Sequence, residues 1–493
     1  MKTRIFVSVI LCMCVLFALS AFAVPTAVDV TESEIQSPAI LSAEKEIVES
    51  GTCGDNLTWT LDSEGTLTIS GEGEMYDWTS GSEVPWYSVS HSTKTVVIKD
   101  GITSVGNYAF EYFGNLISAK ISDSVKLIGR RAFTACKILE SVTMGNMVEI
   151  IGRGAFQQCD KLKCVTFPDS LVTIEPDAFY GCDLLEEIVI PDNVTSIGSS
   201  AFRYCYSMEH VSIGKSLSSI GEWAFSQGKN LKRVVVSEDN KNYSSDENGI
   251  LFNKNKTILI QYPLGNNSLT YTISNRVLLI KEMAFSGCNN LTRILVEQDN
   301  ENYSSDENGV LYNKDKTAII QFPVGSASTF AIPAEVTSVG TAAFWRCDSI
   351  KEIVLQEGIS EINALAFYQC TNLLKAAIYN KNVIISANAF LNCHDGFTLY
   401  GHVGSTTESY AKENNIPFVD LNSIPSYTPG ELNGDGVIDM NDAILLLQYS
   451  MFPELYPIEY AGSVDFTGDG NVDMNDAILL LQHSMFPELY PIA

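Results

Sequence analysis

Apolar positions along the chain recur with a period of 23 residues. An Ala-Phe pair, with an aliphatic residue five positions before the Phe, returns at Phe110, Phe133, Phe156, Phe179, Phe202 and Phe225 in steps of 23. Phe285 and Phe344 follow after gaps of 60 and 59, and Phe367 and Phe390 resume the shorter step. A representative copy reads IGRGAFQQCDKLKCVTF from Ile151 to Phe167. Its closing stretch alternates apolar and polar residues, as a short strand with one buried face should. A unit of this size cannot bury its own apolar side. The pattern therefore predicts rungs stacked in register, Phe on Phe and Ile on Ile, along a solenoid.

The two long gaps hold near-copies of one insert, NKNYSSDENGILFNKNKT from Asn240 and NENYSSDENGVLYNKDKT from Asn300. In each, Asn-Gly precedes an apolar alternation, which predicts a hairpin. The inserts, near 237–275 and 297–332, are expected to lengthen a rung and to project from one side of the stack.

Beyond a Pro- and Ser-containing linker, NSIPSYTPG from Asn422 to Gly430, the pattern changes. DMNDAILLLQYSMFPELYPI from Asp439 returns as DMNDAILLLQHSMFPELYPI from Asp473, and the two differ only at Tyr449 and His483. Each copy predicts a helix, the first from about Asp442 to Met451, with Ile444, Leu445, Leu447 and Met451 as its packing face and Pro453 as its stop. Residues 430–493 hold eleven Asp or Glu and no Lys or Arg.

An oxygen-rich loop opens each copy. Side-chain oxygens at loop positions 1, 3, 5, 9 and 12, a carbonyl at 7 and Gly at 6 are what a hard divalent cation needs to gather six to eight ligands. In the first copy these are Glu431, Asn433, Asp435, Val437, Asp439 and Asp442, with Gly436 at the turn; in the second they are Asp465, Thr467, Asp469, Asn471, Asp473 and Asp476. The expected cofactor is Ca2+, two ions in all. Glu431 is one methylene longer than Asp, and Thr467 offers a single neutral oxygen, so each weakens its site. The first loop, with Asn433 at position 3, is expected to bind more tightly.

From about Gly51 to Asp420 the repeats resemble the BspA-like family of leucine-rich repeats. GTCGDNLTWTLDSEGTLTISGEGEM from Gly51 is similar to the β-rich cap of that family, and YGHVGSTTESYAKENNIPF from Tyr400 to its closing segment. Residues 430–493 resemble type I dockerins, which have Asp at loop position 12 and no helix before the first loop. The resemblances imply an α/β-type repeat solenoid of short parallel strands with a β-rich N-terminal cap, followed by a small all-α calcium-binding dockerin of two loop–helix halves. They imply a cohesin module of a scaffoldin, in a cellulosome-type assembly, as partner. Dockerins contact cohesins through loop positions 10 and 11 and through exposed helix positions. Those are Met440, Asn441, Met474 and Asn475, then Gln448, Tyr449, Gln482 and His483, with Phe452 and Phe486 beside them.

The expected division is a signal peptide at 1–23, a linker at 24–50, the cap at 51–104, the solenoid at 105–421, a linker at 422–429 and the dockerin at 430–493. Lys2 and Arg4, the apolar run Ile5–Leu19 and the small residues of Ala21-Phe22-Ala23 carry the first of these. With 31 basic and 59 acidic residues the net charge is −28, which repels nucleic acid and anionic membranes. Eight of the twelve cysteines, Cys136, Cys159, Cys182, Cys205, Cys288, Cys347, Cys370 and Cys393, stand three residues after a repeat Phe. Phe113 and Gly228 take that place elsewhere, so the slot asks for packing rather than a disulfide partner. No G-x-S-x-G, H-E-x-x-H or P-loop occurs, and the five His are scattered.

The outward strand columns, one through Thr143, Thr166, Val189, Ser212, Val235, Leu295, Val354 and Ala377, are a candidate ligand surface. A neighbouring column through Glu187, His210, Arg233, Arg293, Glu352 and Lys375 mixes charges. Tyr180, Tyr204, Tyr206, Trp345 and Tyr368 are candidates to stack on sugars. The expected function is a secreted, non-catalytic binding protein docked to a scaffoldin, its solenoid holding an unknown protein or glycan ligand. The alternatives are a surface adhesin without a cohesin partner and, least supported, a glycoside hydrolase.

Overall fold

Burying a Phe every 23 residues requires the same face of each rung to meet its copy in the next, and the backbone is arranged around that need. A computed structural model describes residues 45–325, 329–423, 432, 437–453, 455–456, 458, 464–468, 471–487, 489–490 and 492. The signal peptide at 1–23 and residues 24–44 of the expected linker lie outside these, as do Glu431, Asn433, Asp435 and Asp469.

Ile47–Gly54 starts four residues before the expected cap and pairs antiparallel with Leu57–Asp62, which pairs antiparallel with Thr66–Gly71. Thr66–Gly71 then runs parallel to Thr95–Ile98, so the cap turns an antiparallel meander into the first parallel step of the stack. From there a regular rung supplies two short strands, and the strands of successive rungs form two parallel ladders, carried at Cys164 by isolated bridges alone. Glu187 faces His210 and His210 faces Arg233 in one ladder; Ile150 faces Thr173 and Thr173 faces Ser196 in the other. This is the expected solenoid of short parallel strands. Between the strands, the described rungs carry turns rather than α-helices. The stack closes on α1 (Thr406–Glu413), whose N-cap Ser405 accepts from Glu408 N–H, and on the strand Phe418–Asp420.

The Ala-Phe turns are built in an unusual way. Residues two before and two after the Phe take positive φ, in most rungs without being glycine: Arg131 at 54° and Ala135 at 58°, Trp223 at 59° and Gln227 at 63°, whereas Gly154, Gly181 and Gly287 fill the place in others. Left-handed backbone costs an L-residue about 1–2 kcal/mol. In return the amides line up along the stack. Arg131, Phe133 and Ala135 donate to the carbonyls of Arg153, Ala155 and Gln157 at 2.9, 2.7 and 2.7 Å.

Phe rings stack 5.1–5.7 Å apart from Phe110 to Phe225. The row includes residues that an Ala-Phe template misses. Trp86 stacks on Phe110 at 5.3 Å, Tyr262 packs on Phe285 at 5.3 Å and Phe322 stacks on Phe344 at 5.0 Å. Tyr262 precedes Phe285 by the same 23 residues, and that spacing was its signal. The eight ladder cysteines and Cys53 are free thiols. The slot also uses a donor: Cys159 and Cys182 give their S–H to the carbonyls of Phe133 and Phe156 at 3.2 and 3.1 Å, one rung back.

The inserts do not project from the side. Tyr243–Ser245 pairs antiparallel with Leu251–Asn253, which pairs antiparallel with Ile258–Gln261, and that third strand re-enters the stack parallel to Leu279–Ile280. The second insert repeats this from Tyr303 to Gln321. Each insert docks on the rung before it: Val234 N–H donates to Gly249 O (2.8 Å), and Ile220 N–H to the Tyr243 hydroxyl (3.0 Å). Among the described residues both strand ladders break at each insert, and the apolar core divides there into three blocks. The solenoid therefore has two seams.

Candidate functional site

The duplicated segment forms two helices of twelve residues, α2 (Met440–Met451) and α3 (Met474–Met485). Each begins two residues earlier than the loop pattern suggests, because the position-9 carboxylate is also a helix cap. Asp439 accepts from Asn441 N–H at 2.7 Å, while Asp442 accepts from Asp439 N–H at 2.8 Å; Asp473, Asn475 and Asp476 repeat both bonds at the same distances. This reciprocal capping box satisfies amides that a helix start leaves open. Its signal, D-x-x-D before an apolar run, stands in the sequence.

The packing face differs from the one expected. Ala443 and Leu446 of α2 meet Ala477, Leu480 and Val464 in a core of five buried residues, with Leu447 and Tyr449 partly buried against it. Ile444 and Met451 face solvent, as do Ile478 and Met485. A wheel centred on Leu446 turns the other way from one centred on Ile444, and the small Ala443 lets the two helices approach. Each helix thus shows an exposed apolar stripe, Met440, Ile444, Met451 and Phe452 on α2 and Met474, Ile478, Met485 and Phe486 on α3. Met440 is 54% exposed and Met474 51%. Asn441 and Asn475 are exposed, and Gln448, Tyr449, Gln482 and His483 are half-buried. His483 is held by a 2.8 Å hydrogen bond between Nδ1 and the Tyr490 carbonyl.

The position-12 carboxylates Asp442 and Asp476 are fully buried in a segment with no Lys or Arg. Asp476 accepts from Thr467 N–H at 2.9 Å, from Thr467 Oγ1–H at 3.0 Å and from Asp473 N–H at 2.8 Å. Thr467 Oγ1 also lies 3.3 Å from Asp465. Loop positions 1, 3 and 12 of the second copy therefore converge. In the first copy Asp442 accepts from Leu432 N–H at 2.5 Å. Asn471 and Val437, at position 7, have exposed side chains, which suits residues offered for their carbonyls. Among the described residues no group of three or more His, Cys, Asp or Glu forms a metal cage; four of the twelve expected ligands lie outside them. The side-chain atoms that converge among the described loop residues are oxygens, the donor set of a hard cation. These residues fit calcium.

On the solenoid, Trp345 is buried, 4.6 Å from Tyr368, and so is no sugar platform. Tyr180, Tyr204 and Tyr206 are half-buried and pack edge to face at 5.2 and 6.0 Å. Glu352 and Lys375 of the charged column pair at 3.2 Å. No described helix is long and apolar enough to cross a membrane.

Comparison with known proteins bears on both parts. The family described as "BspA type Leucine rich repeat region" matches in six copies, over residues 86–186, 128–256, 243–323 and 264–398. The family described as "Dockerin type I domain" matches 429–483. No curated protein matches the chain. A leucine-rich repeat protein from Eubacterium ventriosum is similar at 26% identity and a TM-score of 0.47, over 71% of this chain and 84% of that one. A leucine rich cell surface protein from Faecalibacterium prausnitzii is similar at 22% identity and a TM-score of 0.44, over 76% and 94%. A leucine-rich repeat protein from Bacteroides ovatus is similar at 22% identity and a TM-score of 0.35, over 75% and 99%.

Proposed function

The chain belongs to the BspA-type leucine-rich-repeat family and carries a type I dockerin near its C-terminus, and from that premise we propose that it is a secreted, non-catalytic binding subunit of a cellulosome-type assembly. The dockerin, folded around two Ca2+ ions, attaches the chain to a cohesin of a scaffoldin. The solenoid holds a protein or glycan ligand connected with polysaccharide degradation. Bound calcium would place positive charge beside the buried Asp442 and Asp476. In the second loop Asp465, Thr467, Asp469, Asn471 and Asp473 complete its ligand set, and in the first Glu431, Asn433, Asp435, Val437 and Asp439 do so.

The observation that carries this reading is the pair of matching apolar stripes, which soluble helices of this size would otherwise bury. The two halves are near-identical, so a half-turn of the module places Met474-Asn475 where Met440-Asn441 had been. A cohesin then docks in either orientation with nearly equal free energy. Met440→Asp together with Met474→Asp is expected to abolish calorimetric binding to a cohesin by placing unpaired charge in the interface. Undiminished binding of that double variant would refute the assignment of the stripes.

A further inference from the structure

The first seam is not filled. Between the rung of Phe225 and the rung of Tyr262 lies a cleft of about 360 Å³, within the range of small-ligand sites. Trp223, Phe225 and Leu251 give it apolar walls, and Glu222, Gln261 and Lys281 give it polar ones, with Glu282 at its edge. In regular rungs the Phe amide donates to the next rung's Ala carbonyl, as Phe202 does to Ala224 at 2.8 Å. Phe225 has no such bond among the described residues, so the cleft opens where the amide ladder stops.

The second seam is an internal control with nearly the same insert. There Met283 stands in the place of Trp223, is only 7% exposed and packs with Ala342 and Trp345. The cleft beside it shrinks to about 210 Å³. Trp223, by contrast, is 38% exposed. The Arg203 guanidinium lies over both its ring, at 5.2 Å, and that of Tyr204, at 4.9 Å. Trp223 thus continues the aromatic strip of Tyr180, Tyr204 and Tyr206 to the cleft.

We propose that this first seam binds an uncharged oligosaccharide, with Trp223 as the platform for a sugar ring. The inference rests on the reading of the solenoid as a ligand-binding module and names its ligand class. The cleft's lining carries two carboxylates against one lysine, the Arg203 guanidinium is already engaged on the Trp223 and Tyr204 rings, and the net charge of −28 further opposes an anionic ligand. A neutral sugar offers hydroxyl donors to Glu222 and Glu282, acceptors to Lys281 and the Phe225 amide, and an apolar ring face to Trp223.

The test titrates the full calcium-loaded chain, without cohesin, with short neutral gluco-, xylo- and manno-oligosaccharides, followed by calorimetry and tryptophan fluorescence. At least one is expected to bind. Trp223→Ala should weaken it about tenfold or more, Trp223→Phe should retain most of the affinity and Met283→Ala should leave it unchanged. Absence of binding across the panel at millimolar sugar overturns the proposal. So does binding that Trp223→Ala, melting as the parent does, leaves intact. Because no cohesin is present, failure here leaves scaffoldin attachment standing, and failure to bind a cohesin leaves the cleft standing.

Discussion

In the solenoid each rung finds what it lacks in the next rung, whereas each half of the C-terminal module has only the other half. The difference is one of core size. The stacked rungs bury rings, aliphatic strands and thiols in rows that run through each of three blocks, so losing or adding a rung leaves most neighbours in place. Among its described residues the module fully buries five apolar side chains and two carboxylates, with other apolar side chains only partly covered, and so small a core calls for a metal or other staple. Repetition serves stability in the first region. In the second, where the copies are near-identical, repetition supplies two like helices that form one core.

Chelation separates the two regions most strongly. With EGTA, the full chain should lose the helical circular dichroism of α2 and α3 while the melting of the solenoid stays put. At calcium a thousandfold above Kd, restoring the metal should stabilise the module by about 4 kcal/mol per site. A helical signal indifferent to chelator would remove the contrast.

Phe179→Ala probes the other side of it. This ring is fully buried, 5.2 Å from Phe156 and 5.3 Å from Phe202. Its loss should cost the solenoid about 3–5 kcal/mol in denaturant unfolding and leave calcium-dependent helix formation unaltered. A shift in the calcium midpoint would mean that the regions are coupled.

Alkaline pH should weaken the solenoid next. Burial pushes the Cys205 thiol from its ordinary 9.0 up to about 12, and Cys393 likewise. Between those values the unfolded chain has released a proton that the folded chain keeps, so stability is whole below pH 9 and falls as pH rises toward 12. Cys205→Ala should flatten that decline in urea melts recorded across the window, while the module, with no cysteine, should not contribute to it.

The smallest expected effect belongs to the symmetry of the module. Met440→Asp alone, or Met474→Asp alone, removes one of two equivalent orientations and should cost cohesin binding only RT ln 2, about 0.4 kcal/mol. If either single change eliminates binding, one half is the sole recognition face.

Much of this was legible in residue spacing. The period of 23 gives the stack, the Phe row and the strand register, since burying one face of a short unit leaves no other arrangement. D-x-x-D gives the helix starts, while four of the twelve ligands that the oxygen spacing predicts lie outside the described residues. Less legible were Tyr262 and Phe322, which hold ring positions without the Ala-Phe pair, and the face of α2, where Ala443 rather than Ile444 turns inward. Composition allows either wheel; only the partner helix chooses.

By itself, then, the sequence determined what repeats and at what interval, because hydrophobic periodicity and ligand spacing are local properties of a chain. The tertiary structure decided the rest. Nothing local marks Arg131, Trp223 or Met283 for left-handed backbone; they adopt it because the amides of one rung must meet the carbonyls of the next. Nothing local says that Asn240 and Asn300 begin seams rather than side branches, since that follows from where Ile258–Gln261 re-enters the ladder. The two inserts are near-copies, yet the cleft is wide at Trp223 and narrower at Met283. The narrowing depends on Ala342 and Trp345, residues some sixty positions further on that reach Met283 only when the rungs are stacked.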